Sequence, residues 1–474
     1  MNFNPSAHKL SNGLTVLLDP MDIATTCMKL SCGVGSRDEK PSEYGITHFM
    51  EHMLMKGTRR FPSSKAIDDY IECNSGNVEA HVNNQRMEIY GRILAENSCV
   101  LVDLIGDLLK NSLFDQKTLD NERKVIWDEY RRKSRDAERG FDLFTLHNLF
   151  RGAGLGRHNF GTWENVSAFT REQMIDYMQR HISATNTVIG VSGKIEDKAA
   201  LLDRMESLFS WIPSFEAPDN SAASIHPGVF HNPVPEGKNV SLKICFEDTR
   251  PATLENIFSI RCRARFNMAL KRRLTEYARH QNGLTYDIST SKYGNEKVSV
   301  NSIITETSPG EIEEMVAVIA QTCKDIMGLN PFNQSELDRT KAIMKLNDAT
   351  WLENSGSRCD MLINVWRQHG VLYSFQKDEE MRNRITVPDV LEHSRGVFAP
   401  EVSIVTQGPE FSADLKKVWE KNFQDDKGPV SVKMLAAGGG KKDNGMLCRR
   451  LEGMHDSIKE LLESRFPQNR KTVG

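Results

Sequence analysis

The chain has 474 residues, a formal net charge of -3, 39% hydrophobic residues and a mean hydropathy of -0.47. That balance argues against a nucleic-acid or membrane-surface partner, and the length is enough for two cored domains of a soluble protein. No run of about 20 apolar residues is present to span a bilayer. Residues 1–7 show neither a basic-apolar signal nor an Arg-rich transit segment, and the nine cysteines form no C-x-x-C, so reduced thiols in a cytoplasm are expected.

In chain order, apolar runs at 14–18 and 28–32 read as strands. Gly33 and Gly35 follow, without the G-x-x-x-x-G-K-S/T spacing of a phosphate loop, so nucleotide binding there is discounted. Tyr44, Gly45 and Ile46 form a turn, and Thr47 is a candidate N-cap. Ile46, Phe49, Met50, Met53 and Leu54 recur at helical spacing, which gives the next helix a buried side. On that helix lies His48-Phe49-Met50-Glu51-His52. Histidines four apart share a face and can hold one metal ion, with the Glu51 carboxylate in reach of the same side. A catalytic zinc takes three protein ligands and leaves a fourth position to water, so one ligand must come from another element.

A strand is expected at 87–94, then a helix over 115–130 that carries Glu122 and Glu129. Seven residues make two turns, so both carboxylates share a face, and spacing alone leaves either as the third ligand. Another strand falls at 187–191. Residues 213–238 hold five prolines and no clear periodicity, and read as a linker between domains at 1–212 and 239–435. The second half shows strands near 240–246, 284–289 and 298–304 and helices near 311–327 and 336–352, a pattern expected to give parallel sheets. Residues 436–445 are a Gly-rich basic linker, and 446–474 hold an amphipathic helix that folds back on its domain or docks at a subunit interface.

The H-x-x-E-H order is the inverzincin signature, and the chain resembles the pitrilysin, insulinase and mitochondrial-processing-peptidase family of zinc metallopeptidases. In that family a glutamate 77 residues after the second histidine completes the metal site; here 52 plus 77 gives Glu129, within a helix similar to the family's E-R-x-V-I-x-x-E. The resemblance makes Glu122 an accessory acid that orients the site and Glu51 the general base. Residues 10–16, 33–39, 161–166 and 185–193 also resemble family segments. Residues 279–286 resemble L-R-x-x-x-G-L-x-Y, with Ala278 in place of the leucine, which puts Arg279 and Tyr286 at positions that bind substrate and steady the transition state. Val78 to Val82 match the strand edge that pairs with an extended peptide, with Glu79, Ala80 and His81 beside the substrate.

The resemblance therefore implies an α+β protein of two related α/β domains, each a sheet covered by helices, that pairs with a second subunit to close a clamshell chamber. It implies a zinc endopeptidase with one Zn2+ per chain, acting on extended peptides or leader segments. The short length suits a homodimer, in which Arg279 and Tyr286 serve the partner's zinc, or a heterodimer with a related subunit. A non-catalytic scaffold subunit and a maturation protease dedicated to one peptide are the alternatives.

Overall fold

A computed structural model describes residues 3–424 except 153, 217–224, 249–252, 295–297, 396–397 and 399–400. The expected helix at 446–474 and the linker at 436–445 lie outside the described residues. The first half contributes β1 (Ser6–Lys9), β2 (Thr15–Pro20), β3 (Thr25–Cys32), β4 (Gly76–Val82), β5 (Met87–Leu94) and β6 (Thr187–Gly193). Its principal helices are α1 (Ile46–Leu54), α2 (Ser98–Asn111), α3 (Gln116–Arg135), α4 (Ala137–Leu149) and α5 (Lys198–Phe209). The second half adds β7 (Val229–Pro233), β8 (Val240–Asp248), β9 (Ile288–Gly294), β10 (Ser299–Thr307) and β11 (Ser403–Gly408). With them come α6 (Ile257–Leu274), α7 (Ile312–Met327), α8 (Ser355–His369), α9 (Val387–Ser394) and α10 (Leu415–Gln424).

The first sheet runs β1-β2-β6-β3-β5-β4 and the second β7-β11-β8-β10-β9. With β1 set aside, the orders coincide: first strand, fifth, second, fourth, third. The pairings coincide too. Each sheet has one parallel pair, β2 with β6 and β7 with β11, and the rest are antiparallel. This shared topology makes the halves related units. It also corrects the expectation of parallel sheets: β4 and β5 join through a tight hairpin, and short connections return a strand antiparallel. β7 lies inside the proline-rich stretch read as a linker, and its pairing with β11 depends on a partner some 170 residues away, which local composition does not reveal.

One face of the first sheet buries Leu18, Met28, Leu30 and Ile89 against α1, α2 and α5, in a core that also takes Phe49, Met53 and Leu54 from α1. The second sheet buries Leu242, Ile244 and Ile303 against α6, α7, α9 and α10. The opposite faces are covered by exchange. From the second half, α8 lays Cys359, Leu362 and Ile363 on Leu17, Cys27 and Val188 of the first sheet. From the first half, α4 and the residues after it lay Leu146, Leu149, Phe150 and Leu155 on Cys245, Val298 and Val300 of the second. Residues 1–425 accordingly form one compact unit. No helix among the described residues is long and apolar enough to cross a membrane.

Candidate metal centre

The helix that presents the histidines begins two residues earlier than Thr47 capping would set it. Gly45 is the N-cap, at φ 97°, a left-handed conformation that favours glycine, and a Cβ there would meet the Phe160 carbonyl at 2.8 Å. Glu39, whose capping role no helical spacing discloses, supplies the cap. Its buried carboxylate accepts the backbone N–H of Gly45 at 2.9 Å and of Thr47 at 3.0 Å, and the Thr47 hydroxyl. Burial pushes the Glu39 carboxyl up to about 8 against those bonds. The preceding glycines serve packing. A Cβ on Gly33 would sit 2.1 Å from the Arg367 guanidinium, and one on Gly35 would sit 2.4 Å from the Asn83 carbonyl.

From this fixed helix His48 and His52 face Glu129 of α3. His48 Nε2 lies 3.6 Å and His52 Nε2 3.3 Å from Glu129 Oε2, and donor atoms of the three residues all lie within 4.8 Å of one another. A tetrahedral ion with ligand bonds near 2.0–2.1 Å holds its ligand atoms about 3.3–3.5 Å apart, so two nitrogens and a carboxylate oxygen here fit zinc. It is the one such His/Cys/Asp/Glu cluster among the described residues. Glu122, two turns before Glu129, lies 3.0 Å from the other ring nitrogen of His52, and its second oxygen meets Lys56 Nζ at 2.9 Å. Lys133 pairs with the outer oxygen of Glu129. The two acids that spacing could not separate thus take different atoms of one imidazole.

The electrostatics divide the two histidines. Burial, then the charge of His52, pulls His48 down to about 3, and its Nδ1 is buried without a hydrogen-bond partner. For His52 burial acts downward but is outweighed by Glu122 and Glu129, which raise it to about 9. The His52 hydrogen bond, opposed by burial and assisted by Lys133, brings Glu129 down to about 2. Burial lifts Glu51 to about 7, with His52 and the Val82 N–H acting in the opposite sense.

Glu51 accepts the backbone N–H of Val82 at 2.9 Å. β4 is the outer strand of its sheet, and this bond shows that Val82 turns its amide away from β5. Strand direction alternates, so Ala80 offers its N–H and C=O along the same open edge, whereas Glu79 and His81 turn theirs toward β5. The exposed side chains of Glu79 and His81 stand on the sheet face, where Glu79 accepts the Tyr90 hydroxyl at 2.7 Å.

Arg279 and Tyr286 stand apart from this cluster. Arg279 lies on a π-type turn, Thr275–Gln281, with its guanidinium 4.6 Å from the Tyr286 ring centre. Tyr286 is 83% exposed. Neither shares a hydrogen bond, ion pair or ring contact with His48, Glu51, His52 or Glu129 among the described residues. The strand expected at 284–289 starts only at Ile288. Thr285 Oγ1 takes the Asp287 N–H, and Thr307 Oγ1 donates to the Leu284 carbonyl, so side chains satisfy the backbone before pairing begins.

Two family descriptions match the chain: Insulinase (Peptidase family M16) over residues 16–162, and Peptidase M16 inactive domain over 168–344. The chain belongs to peptidase family M16. An uncharacterized zinc protease of Rickettsia bellii is 25% identical over 411 residues, covering 86% of this chain and 98% of its own length. A probable mitochondrial-processing peptidase subunit beta of Arabidopsis thaliana is 28% identical over 226 residues, covering 47% of this chain and 41% of its own. A protease from Helicobacter pylori superposes with a TM-score of 0.73 at 15% identity, over 86% of this chain and 100% of that one. This M16 chain thus shares the fold of solved relatives and the zinc-protease kinship of its sequence relatives. The one candidate metal cluster among the described residues lies in the half that matches the insulinase description.

Proposed function

We propose that this chain is a zinc-dependent endopeptidase that cleaves extended peptides laid along the open edge of β4. His48, His52 and Glu129 would hold one zinc ion, and Glu122 would fix the ring of His52 through its Nδ1. Zinc in that position supplies Lewis acidity, which makes water a nucleophile near neutral pH. Glu51 takes the proton as general base and returns it to the departing amine. Ala80 pairs by its backbone with the peptide, and Glu79 and His81 flank it on the sheet face. The observation that carries this reading is the Glu51–Val82 bond, which joins the proton acceptor of a three-ligand cluster to an unpaired strand edge.

Arg279 and Tyr286 stabilise the oxyanion of the reaction from a second subunit. Supporting this is the exposure of Tyr286 and its lack of contact with the cluster of its own chain. A homodimer closing a chamber satisfies the need. Pairing with a related subunit is the second reading, favoured by kinship to a protein named as a processing-peptidase subunit.

Glu51→Gln should keep its zinc and lose turnover of unfolded peptides by about 100-fold or more. Metal analysis beside a peptide-cleavage assay tests this, and full activity in the variant would remove Glu51 from the mechanism. Mixing Glu51→Gln chains with Tyr286→Phe chains should restore activity through dimers that pair one intact zinc half with one intact Tyr286. No recovery after confirmed subunit exchange would refute sharing between subunits.

A further inference from the structure

A cavity of about 440 Å³ lies where the β4–β5 hairpin turn of the first half meets β9 and α8 of the second. Arg37, Arg86, Lys292 and Arg367 line it, with Gln85 and Asn364, and no carboxylate is among its lining residues. Each wall is tied in place. Gln85 donates to the Gly294 carbonyl at 2.9 Å, and Arg86 donates to Asn364 Oδ1. Arg367 donates to the backbone carbonyls of Asn186 at 2.9 Å and Ser31 at 3.4 Å, in the space that Gly33 leaves.

The carboxylates nearest these cations are engaged elsewhere. Glu88 is 3.8 Å from Arg86 but closer, at 3.3 Å, to Lys29. Asp248 is 3.6 Å from Lys292 and more tightly paired with Arg263. Asp38 is 3.7 Å from Arg37 and also accepts the Gly35 N–H at 2.9 Å. Two of the cations also oppose Arg367: burial first, then Arg86 and Arg37, pull it down to about 10. Four positively charged side chains lining one cavity within the size range of ligand sites call for a multivalent anion. Three guanidinium groups favour tetrahedral oxyanions, whose oxygens match their paired N–H groups, over a single carboxylate.

We propose that this cavity binds a phosphate-type dianion and that the bound anion bridges the two halves of the chain. Arg37 and Arg86 reach it from the first half, Lys292 and Arg367 from the second. The site is separate from the proposed zinc cluster and stands whether or not the chain cleaves peptides.

Titration calorimetry of the full zinc-loaded chain with inorganic phosphate, at constant ionic strength in a non-coordinating amine buffer, tests it. One saturable site per chain is expected. Arg86→Gln and Lys292→Met should each weaken binding about tenfold or more, as loss of one charge-assisted bond implies, with zinc content unchanged. The exposed Lys65→Ala change should leave phosphate binding as in the parent. Absence of saturable binding overturns the proposal, as does equal binding by the parent and both cavity variants. Acetate competing as well as phosphate would overturn the assignment to a dianion.

Discussion

Around His52 every polar atom has a task. Nε2 faces Glu129, and Nδ1 meets Glu122, itself held by Lys56. His48 has no such support at Nδ1, so the orientation of the pair rests on one side. Glu122→Gln keeps the shape but replaces a full negative charge by an amide dipole, which weakens the basicity lent to His52. Zinc affinity should fall about 10- to 100-fold while Glu129→Gln loses the metal outright. Competition with a zinc-binding dye measures both. Equal affinity in Glu122→Gln and the parent would show that Glu122 has no part in holding the metal. The H-x-x-E-H spacing disclosed the two histidines because helical periodicity is local. It could not disclose that Glu122 and Glu129 take opposite ring nitrogens of one residue, since that follows from how α3 crosses α1.

Among the elements, the helices were legible where an apolar stripe or a capping box lies within the segment. The expected 311–327 and 336–352 stand as Ile312–Met327 and Gln334–Leu352, because periodicity and caps act within a few residues. The loop capping of α1 was not legible, because Glu39 approaches from outside the helix. Helix ends show the same competition between local rule and packing. The helix Arg171–His181 ends in a histidine, where the helix dipole favours a charged ring. Burial wins instead: His181 stacks on Tyr177 at 4.2 Å, and burial, then Arg180, brings it down to about 4. With the unfolded value near 6.5, the unfolded chain takes up a proton first as pH falls. His181 therefore costs no stability above about 6.5 and destabilises progressively down to about 4, by about 3 kcal/mol at most. His181→Phe keeps the stacking and has nothing to protonate, so its unfolding midpoint in urea should fall less steeply over that range. Parallel acid limbs for variant and parent would exclude His181 as the cause.

Across the whole molecule the two halves are braced by exchange rather than set side by side. α8 leaves the second half to cover the first sheet, and α4 leaves the first to cover the second. Sequence pattern could mark these segments as helices but not say whose sheet they cover, since an apolar stripe does not name its partner. The firmest polar tie in the exchange is Arg358 of α8 with Asp19 of β2. Both are almost fully buried, with guanidinium-to-carboxylate bonds of 2.6 and 2.5 Å, and the Phe3 ring lies 4.8 Å from the guanidinium. A buried pair contributes little over an apolar replacement but costs heavily when halved, because the remaining charge has no water to return to. Asp19→Leu should therefore lower stability by about 3–5 kcal/mol, and Arg358→Met by less, since burial already pushes Asp19 upward and a lone carboxyl there can take a proton. The double variant should regain most of the Asp19→Leu loss by closing an apolar seam between α8 and the sheet. Urea unfolding of the four proteins measures the coupling. Losses that simply add would show that α8 is held by its apolar contacts with Leu17 and Val188 alone, and that the ion pair has no part in fastening one half to the other.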